Sequence, residues 1–229
     1  MKRISVIIPT YNEEVHIAET IQAVKNQSTG QLADIIVVDG GSTDNTCTIA
    51  EERGATVVQS SRKGRAAQMN FGAQHADASI LYFLHADSHP PESFDRQIIK
   101  EIENGIQAGC FQLAFDRRHW LLDFYAWCTR FDIDAFRFGD QSLFISARLF
   151  KELGGFREDH LLMEDNELVR RIKKDHNFQV LKDAVTTSAR SYQQAGIVRL
   201  QLAFSLIYLL YFAGVEQDKL MQIRENVIS

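Results

Sequence analysis

Three short runs punctuate the first sixty residues: 4–8 (ISVII), 35–38 (IIVV) and 55–59 (ATVVQ). Each is rich in β-branched residues and too short for a helix, so each reads as a buried strand. Between the first two, Val15, Ile17, Ala18, Ile21 and Val24 recur at helical spacing. Asn12 suits the N-cap of that helix, and Glu13-Glu14 suit the positive end of its dipole. A second helix, capped by Ser42 or Thr43 and stopped by Gly54, reaches about Arg53. Strand and helix alternating in this way build a parallel sheet with right-handed crossovers. Parallel strands all end at one edge, and open α/β sheets bind ligands there. That edge should receive Pro9-Thr10-Tyr11-Asn12-Glu13 and Asp39-Gly40-Gly41. The two glycines let the backbone turn sharply and approach a ligand closely. A Gly-x-Gly-x-x-Gly after the first strand is absent, which disfavours a dinucleotide cofactor.

A fourth apolar run, 79–84, stops at His85-Ala86-Asp87, with Pro90-Pro91 close behind. It presents an imidazole and a carboxylate at the same edge. Asp87 is the expected holder of a divalent metal against a nucleotide diphosphate. Just upstream, Arg62-Lys63-Gly64-Arg65 precede a helix over 66–76 that contains Gln68, Met69 and Asn70. Cations at a loop-to-helix junction can meet phosphate or a base. Alone they would read as a solvated basic turn; their place before the His-Ala-Asp strand favours the site. Further on come a helix over 92–103, a strand over 108–115 and an aromatic stretch (Trp120, Phe124, Tyr125, Trp127, Phe131, Phe136). Helical spacing assigns those aromatics to core, with an acceptor pocket as the sharper alternative. Phe138-Gly139-Asp140-Gln141 lead into a strand over 142–145. A helix over 147–153 ends at Gly154-Gly155-Phe156, and Glu164-Asp165-Asn166-Glu167 open another. A last strand over 178–181 and a polar loop over 183–194 carrying Arg190 follow.

The chain of 229 residues is long enough for one large domain or two small ones. A net charge of −5 without a basic block gives nucleic-acid binding no support. Cys47, Cys110 and Cys128 are too scattered for zinc or a disulfide framework, so they read as thiols in a reducing compartment. The few apolar residues before Pro9 make no signal-peptide core, which points to the cytoplasm. Residues 200–215 (LQLAFSLIYLLYFAGV) are nearly all apolar, yet shorter than the roughly 20 residues a membrane span needs. A core or dimer-interface helix is favoured over one lying on the inner face of the cell membrane. The division is then 1–195 for an α/β domain and 196–229 for a C-terminal helical extension.

Several motifs taken together resemble family 2 glycosyltransferases of GT-A fold. They are Ser5-Val6-Ile7-Ile8-Pro9-Thr10-Tyr11-Asn12-Glu13-Glu14, Val37-Val38-Asp39-Gly40-Gly41-Ser42-Thr43-Asp44, His85-Ala86-Asp87, Gly154-Gly155-Phe156 and Glu164-Asp165. The resemblance runs from Ser5 to about Arg190. Gly64-Arg65-Ala66, Gln68-Met69-Asn70, Gly139-Asp140-Gln141 and Thr187-Ser188-Ala189-Arg190 are similar to a bacterial subgroup of radical-SAM/selenodomain-associated transferases. The family implies a Rossmann-like, mostly parallel sheet flanked by helices. It also implies inverting transfer of a sugar from a nucleotide diphosphate, with Mn²⁺ or Mg²⁺. Carried over by motif, Pro9, Thr10, Tyr11 and Glu13 would border the nucleoside, with Gly41 in the adjoining turn. Asp39 would hydrogen-bond the base, leaving UDP- and GDP-sugars both open. Arg65, with Asn70 on its helix, would lie near the base or phosphates, and Arg190 would contact the diphosphate. His85 and Ala86 would line the sugar loop and Asp87 would bind the metal. Asp165 would be the catalytic base, and Glu164 beside it is counted with it as catalytic.

The residue types suit that chemistry. Negative charge accumulates on the leaving diphosphate, where a cation and guanidinium groups stabilise it. A carboxylate on the far side of the sugar takes the acceptor's proton, giving inversion. His85 stands where the family pattern has an acid; it is left outside the metal set, because a lone histidine is more often not a ligand. The acceptor is open, a lipid-linked one included. Two alternatives are a GT-A domain that only binds nucleotide or a partner, and a nucleotidyltransferase. The latter usually needs a Gly-rich basic loop after the first strand, where this chain has Pro-Thr-Tyr-Asn-Glu.

Overall fold

The computed structural model describes residues 3–134 and 141–228. Its strands are β1 (Ile4–Thr10), β2 (Leu32–Asp39), β3 (Thr56–Gln59), β4 (Ile80–Phe83), β5 (Ser88–His89), β6 (Ala108–Phe115), β7 (Leu143–Ser146) and β8 (Phe178–Thr187). Its helices are α1 (Ile17–Gln27), α2 (Thr46–Glu52), α3 (Arg65–His75), α4 (Phe94–Glu103), α5 (Trp120–Cys128), α6 (Ala147–Glu152), α7 (Glu164–Asp175), α8 (Arg190–Ala195), α9 (Ile197–Phe212) and α10 (Gln217–Ile228).

The strands make one eight-stranded sheet, in the order β3-β2-β1-β4-β7-β6-β8-β5. β3, β2, β1 and β4 are parallel. β7 runs against both its neighbours, and β6 and β8 are again parallel to each other. Phe83, the last residue of β4, pairs with Leu143, the first of β7. The carboxyl edge of the parallel half therefore also receives Gln141 and Ser142 as they enter β7.

β1 is buried along its whole length, as a strand covered by helices on both faces must be. Ile4, Val6 and Ile8 pack toward Ile17, Ile21 and Val24 of α1 and Phe94 and Ile98 of α4. Ile7 lies on the other face with Ile36 and Val38, under Met69 of α3, Leu149 of α6 and Leu168 and Ile172 of α7. The period-two alternation of the strand thus serves two helical layers. Gly72 of α3 lets that layer approach closely: a Cβ there would lie 2.5 Å from Ile7 Cγ2 and 2.7 Å from Val38 Cγ2. A third, smaller cluster joins Leu122 of α5, Tyr192 and Ala195 of α8 and Leu200 of α9.

The structure departs from the sequence reading in several places. α1 starts at Ile17 rather than Glu13, because the residues before it are tied elsewhere. Asn12 is left-handed (φ 54°), and its Oδ1 accepts from Thr43 N at 2.8 Å instead of capping α1. The amides of Glu13 and Glu14 donate to Thr46 Oγ1 and Asp44 Oδ2. β8 runs for ten residues, Phe178–Thr187, where the alternation suggested only 178–181. Leu181 pairs with Phe111 and Ala184 with Gln112, so Lys182 and Asp183 fall out of register and mask the continuation. The polar loop after it ends in α8. Most of the aromatic stretch is not core: Trp120, Phe124 and Trp127 of α5 and Phe131 after it are exposed, while Tyr125 packs against the main core. Phe136, Phe138, Gly139 and Asp140 lie outside the described residues.

At the opposite edge of the sheet, Asp95 closes the turn between α1 and β2. Its fully buried carboxylate accepts from Ser28 Oγ at 2.6 Å, from Thr29 N and Gln31 N, and from Thr29 Oγ1. Burial alone would raise its pKa, but these hydrogen bonds outweigh burial and hold it below the ordinary carboxylate value. A depressed native pKa gives stability that is present above the unfolded pKa and is lost as pH falls through the native one. Asp95→Ala should lower unfolding free energy by about 2–3 kcal/mol at neutral pH, measured by urea denaturation. The gap between variant and parent should shrink as the medium is acidified; a constant gap would refute the assignment.

Candidate active site

The carboxyl edge gathers residues from β1, β2, β4, α3, α7 and α8. At the end of β2, Asp39 is 1% exposed. Its Oδ2 accepts from the amides of Gly41 at 3.0 Å and Ser42 at 3.1 Å. The carboxylate thus shapes its own Gly-Gly-Ser turn, in which Gly41 has φ +96° with open space beside it. Burial and the neighbouring Asp39 push the Cys47 thiol up to about 11, so it stays protonated and is no nucleophile at neutral pH.

β1 and β2 part at Thr10 and Asp39, and the gap is bridged by a residue to which the sequence pattern assigns no role. Gln68 of α3 is buried, and its Nε2 donates to Thr10 O at 2.7 Å and Val38 O at 2.8 Å. Thr10 is buried beside it, while Tyr11 extends outward, 59% exposed. Asn70 has a different task from the nucleotide contact expected of it. Its Nδ2 donates to Phe156 O and Glu158 Oε1, and its Oδ1 accepts from Phe156 N. It binds α3 to the Gly154-Gly155-Phe156 turn.

The turn after β4 carries His85, Ala86 and Asp87, and each end of it meets an arginine. Arg65, at the first residue of α3, bonds Glu164 through Nε, Asp165 Oδ2 through Nη2 at 3.3 Å and His85 Nε2 through Nη1 at 3.2 Å. A guanidinium only donates, so in this contact His85 Nε2 is the acceptor and its lone pair is engaged. On the other side, Arg190 at the start of α8 bonds Glu13 Oε1 through Nη2, and its Nε lies 3.6 Å from Asp87 Oδ2. Burial disfavours the charge on Arg190, but Glu13 and Asp87 outweigh it and raise its pKa above the ordinary value. Two acids attend each guanidinium, and the His-Ala-Asp turn joins the two groups.

Glu164 and Asp165 stand in the first turn of α7, where the helix dipole favours negative charge. They are preceded by Met163 at φ 66°, a conformation unusual for its residue type. Glu164 Oε2 and Glu13 Oε2 are buried without a hydrogen-bond partner. Buried acceptors of this kind mark places where a ligand's donors or a cation fit.

The turn itself is braced from behind. Thr20 of α1, fully buried within the apolar stripe of that helix, donates from Oγ1 to Ala86 O at 2.6 Å. Ser188 N donates to Asp87 O at 3.2 Å. Thr20 was also missed from sequence; a hydroxyl in an otherwise apolar helical stripe was the clue. Thr20→Val keeps the shape and removes the donor, leaving a buried carbonyl bare. It should cost about 1–2 kcal/mol in urea unfolding. An unchanged midpoint would show that the brace carries no energy.

The model of glycosyl transferase family 2 matches residues 5–165. The dolichol-phosphate mannosyltransferase of Pyrococcus furiosus is 32% identical over 109 residues, covering 45% of this chain and 31% of its own length. The chain thus matches about a third of that relative. Among solved structures, the mannosyltransferase PcManGT from Pyrobaculum calidifontis, in complex with GDP-Man and Mn²⁺, superposes with a TM-score of 0.71 at 21% identity. That match covers 90% of this chain and 62% of the other. The glucosyl-3-phosphoglycerate synthase from Mycobacterium tuberculosis, in complex with Mn²⁺, UDP and phosphoglyceric acid, gives 0.61 at 21% identity, covering 90% and 78%. The chain has the GT-A fold and belongs to glycosyl transferase family 2.

Proposed function

We propose that the chain transfers a sugar from a UDP- or GDP-sugar to an acceptor, with inversion at the anomeric carbon. The observation that carries this reading is the meeting of Arg65 and Arg190 on the two ends of the His85-Ala86-Asp87 turn, with Asp165 held against Arg65. Asp39 and the Gly40-Gly41 turn border the base, and Thr10, Tyr11 and Glu13 the nucleoside. Arg190 receives the diphosphate by exchanging its contacts with Glu13 and Asp87 for phosphate oxygens, which a guanidinium binds bidentately. His85 lies against the sugar. Asp165 takes the proton of an attacking hydroxyl, while Glu164 keeps Arg65, and through it Asp165, in place. The P. furiosus relative, by its name, acts on dolichol phosphate. A lipid-linked acceptor is therefore the favoured class for this chain.

The donor set also bears on a metal. Among the described residues, no three His, Cys, Asp or Glu side chains are grouped as a cage. Asp87, with the unmatched Glu13 Oε2 close to the same guanidinium, offers hard oxygen donors suited to Mn²⁺ or Mg²⁺ shared with a diphosphate. Such an ion, when bound, offsets the charge that develops on the leaving group. His85 is not counted as a ligand, because its Nε2 faces Arg65.

The test is a thermal-shift panel of UDP, GDP, CDP, ADP and TDP with and without Mn²⁺. One nucleotide should stabilise the protein in a metal-dependent way, by about 2.7 kcal/mol at a hundredfold excess over its Kd. Asp87→Ala should abolish the metal-dependent part. A panel in which no nucleotide moves the melt would sink the donor site. Asp165→Asn should keep the shift and lower release of nucleoside diphosphate from the matching nucleotide sugar by about 10²–10⁴-fold. A parent protein that binds nucleotide and never releases it from any donor would favour the binding-only reading.

A further inference from the structure

We infer that α5 and α9 form a lipid-facing surface that seats this protein on an anionic bilayer. The chain has two tryptophans, and both stand on α5, Trp120 at 73% and Trp127 at 45% exposed. With Phe124 they form one side of the helix, while Leu122 and Cys128 on the other side are buried. The stripe continues into exposed Phe131 and Ile133. Its rings meet along it, Phe124 stacked on Trp127 and Trp127 edge-on to Phe131. α9 repeats the arrangement in aliphatic form. Leu200, Ala203 and Ile207 are buried, whereas Val198, Leu202, Leu206, Leu209 and Phe212 are exposed. The two helices share one small core through Leu122 and Leu200.

Charge selects the occupant. Exposed Arg117 and Arg118 lead into Trp120, and the Arg130 guanidinium lies 5.2 Å from the centre of the Trp127 ring. Of the acids over the same stretch, Asp123 faces solvent on α5, Asp116 accepts from Ala189 N, and Asp132 and Asp134 are paired with Lys173. Indole and guanidinium side by side suit the headgroup layer, where the ring enters the upper acyl region and the polar ends reach phosphate. A second copy of the same stripe would bring these arginines toward one another across a two-fold axis. Residues 200–215 contain no charged residue, yet the 16 residues of α9 span only about 24 Å. No described helix is long and apolar enough to cross a membrane. Lying flat is the arrangement that covers such a face.

The surface is also joined to the site. β6 and β8 both end at the edge that carries it, and Asp116 Oδ1, just before α5, accepts from Ala189 N at 2.9 Å. Ala189 immediately precedes Arg190. Docking through α5 and α9 would set the Arg190 side of the site beside the bilayer; this consequence rests on the transferase reading, whereas the docking does not.

Because both tryptophans lie in the surface, their own fluorescence reports on it. Phosphatidylcholine vesicles containing phosphatidylglycerol should shift the emission to the blue, and the protein should float with them. Brominated acyl chains should quench it. Omitting phosphatidylglycerol, or changing Arg117→Ser and Arg118→Ser together, should weaken partitioning by about fivefold per arginine engaged. Leu202→Ser with Leu206→Ser and Leu209→Ser should weaken it at least about tenfold, with circular dichroism confirming the fold. No blue shift and no flotation with anionic vesicles would overturn the inference. So would a concentration-dependent blue shift without lipid, matched by dimer in sedimentation, which would assign the surface to a second copy. None of these measurements needs donor or metal, so their failure is separable from failure of the transferase reading.

Discussion

The parallel pairing of β1 with β2 on one side and β4 on the other is the constraint from which the rest follows. Parallel neighbours cannot be joined by a hairpin, so each connection crosses a face of the sheet as a helix and every strand finishes at the same edge. Strand ends carry the polar residues, because an apolar run buried on both faces has nowhere else to place them. Glu13, Asp39 and the His85-Ala86-Asp87 turn are widely separated in sequence, yet the topology brings all of them to one side. The reversal at β7 then delivers Gln141 and Ser142 to that side by the start of a strand instead of its end.

Packing acids and arginines together at this edge is unfavourable unless each charge has partners. Arg65 and Arg190 answer that need by binding across segments, from α3 to α7 and from α8 to the loop after β1. They act as cross-links between elements as well as charges, and Arg's planar fork suits it to this work better than Lys. Left-handed backbone at Asn12 and Met163 sits directly before two of the acid-bearing segments. Surrounding hydrogen bonds hold that conformation at Asn12, through Ser42 and Thr43.

Much of this was legible in the sequence, for identifiable reasons. Short β-branched runs ending in Gly, Asn, Asp or Pro announce buried parallel strands, and β6 was placed residue for residue. The sheet-edge acids followed from the same pattern. What escaped depended on pairing across the chain. Nothing local shows that Asn12 serves Thr43 and not its own helix, or that Asn70 binds Phe156. Lys182 and Asp183 broke the alternation of β8 because the strand swells there to keep register with β6. The aromatics of α5 have helical spacing whether that face meets core or not, and periodicity cannot tell which side of a stripe is wet. Thr20 and Gln68 were hidden for the opposite reason: polar groups inside apolar stripes look like noise until their carbonyl partners are seen.

The closeness of α3 to the sheet has an evolutionary consequence. Gly72 takes no part in any chemistry, yet the helix it seats carries Arg65, Gln68 and Asn70, whose hydrogen bonds reach toward β4, β1, β2 and the turn after α6. A single methyl group at that position would meet Ile7 and Val38 and lift the whole helix, moving all three side chains away from their partners at once. Genetic drift there would look conservative, one small residue for another. Its effect would resemble the loss of Arg65 itself, so position 72 should tolerate variation as poorly as the residues it silently aligns.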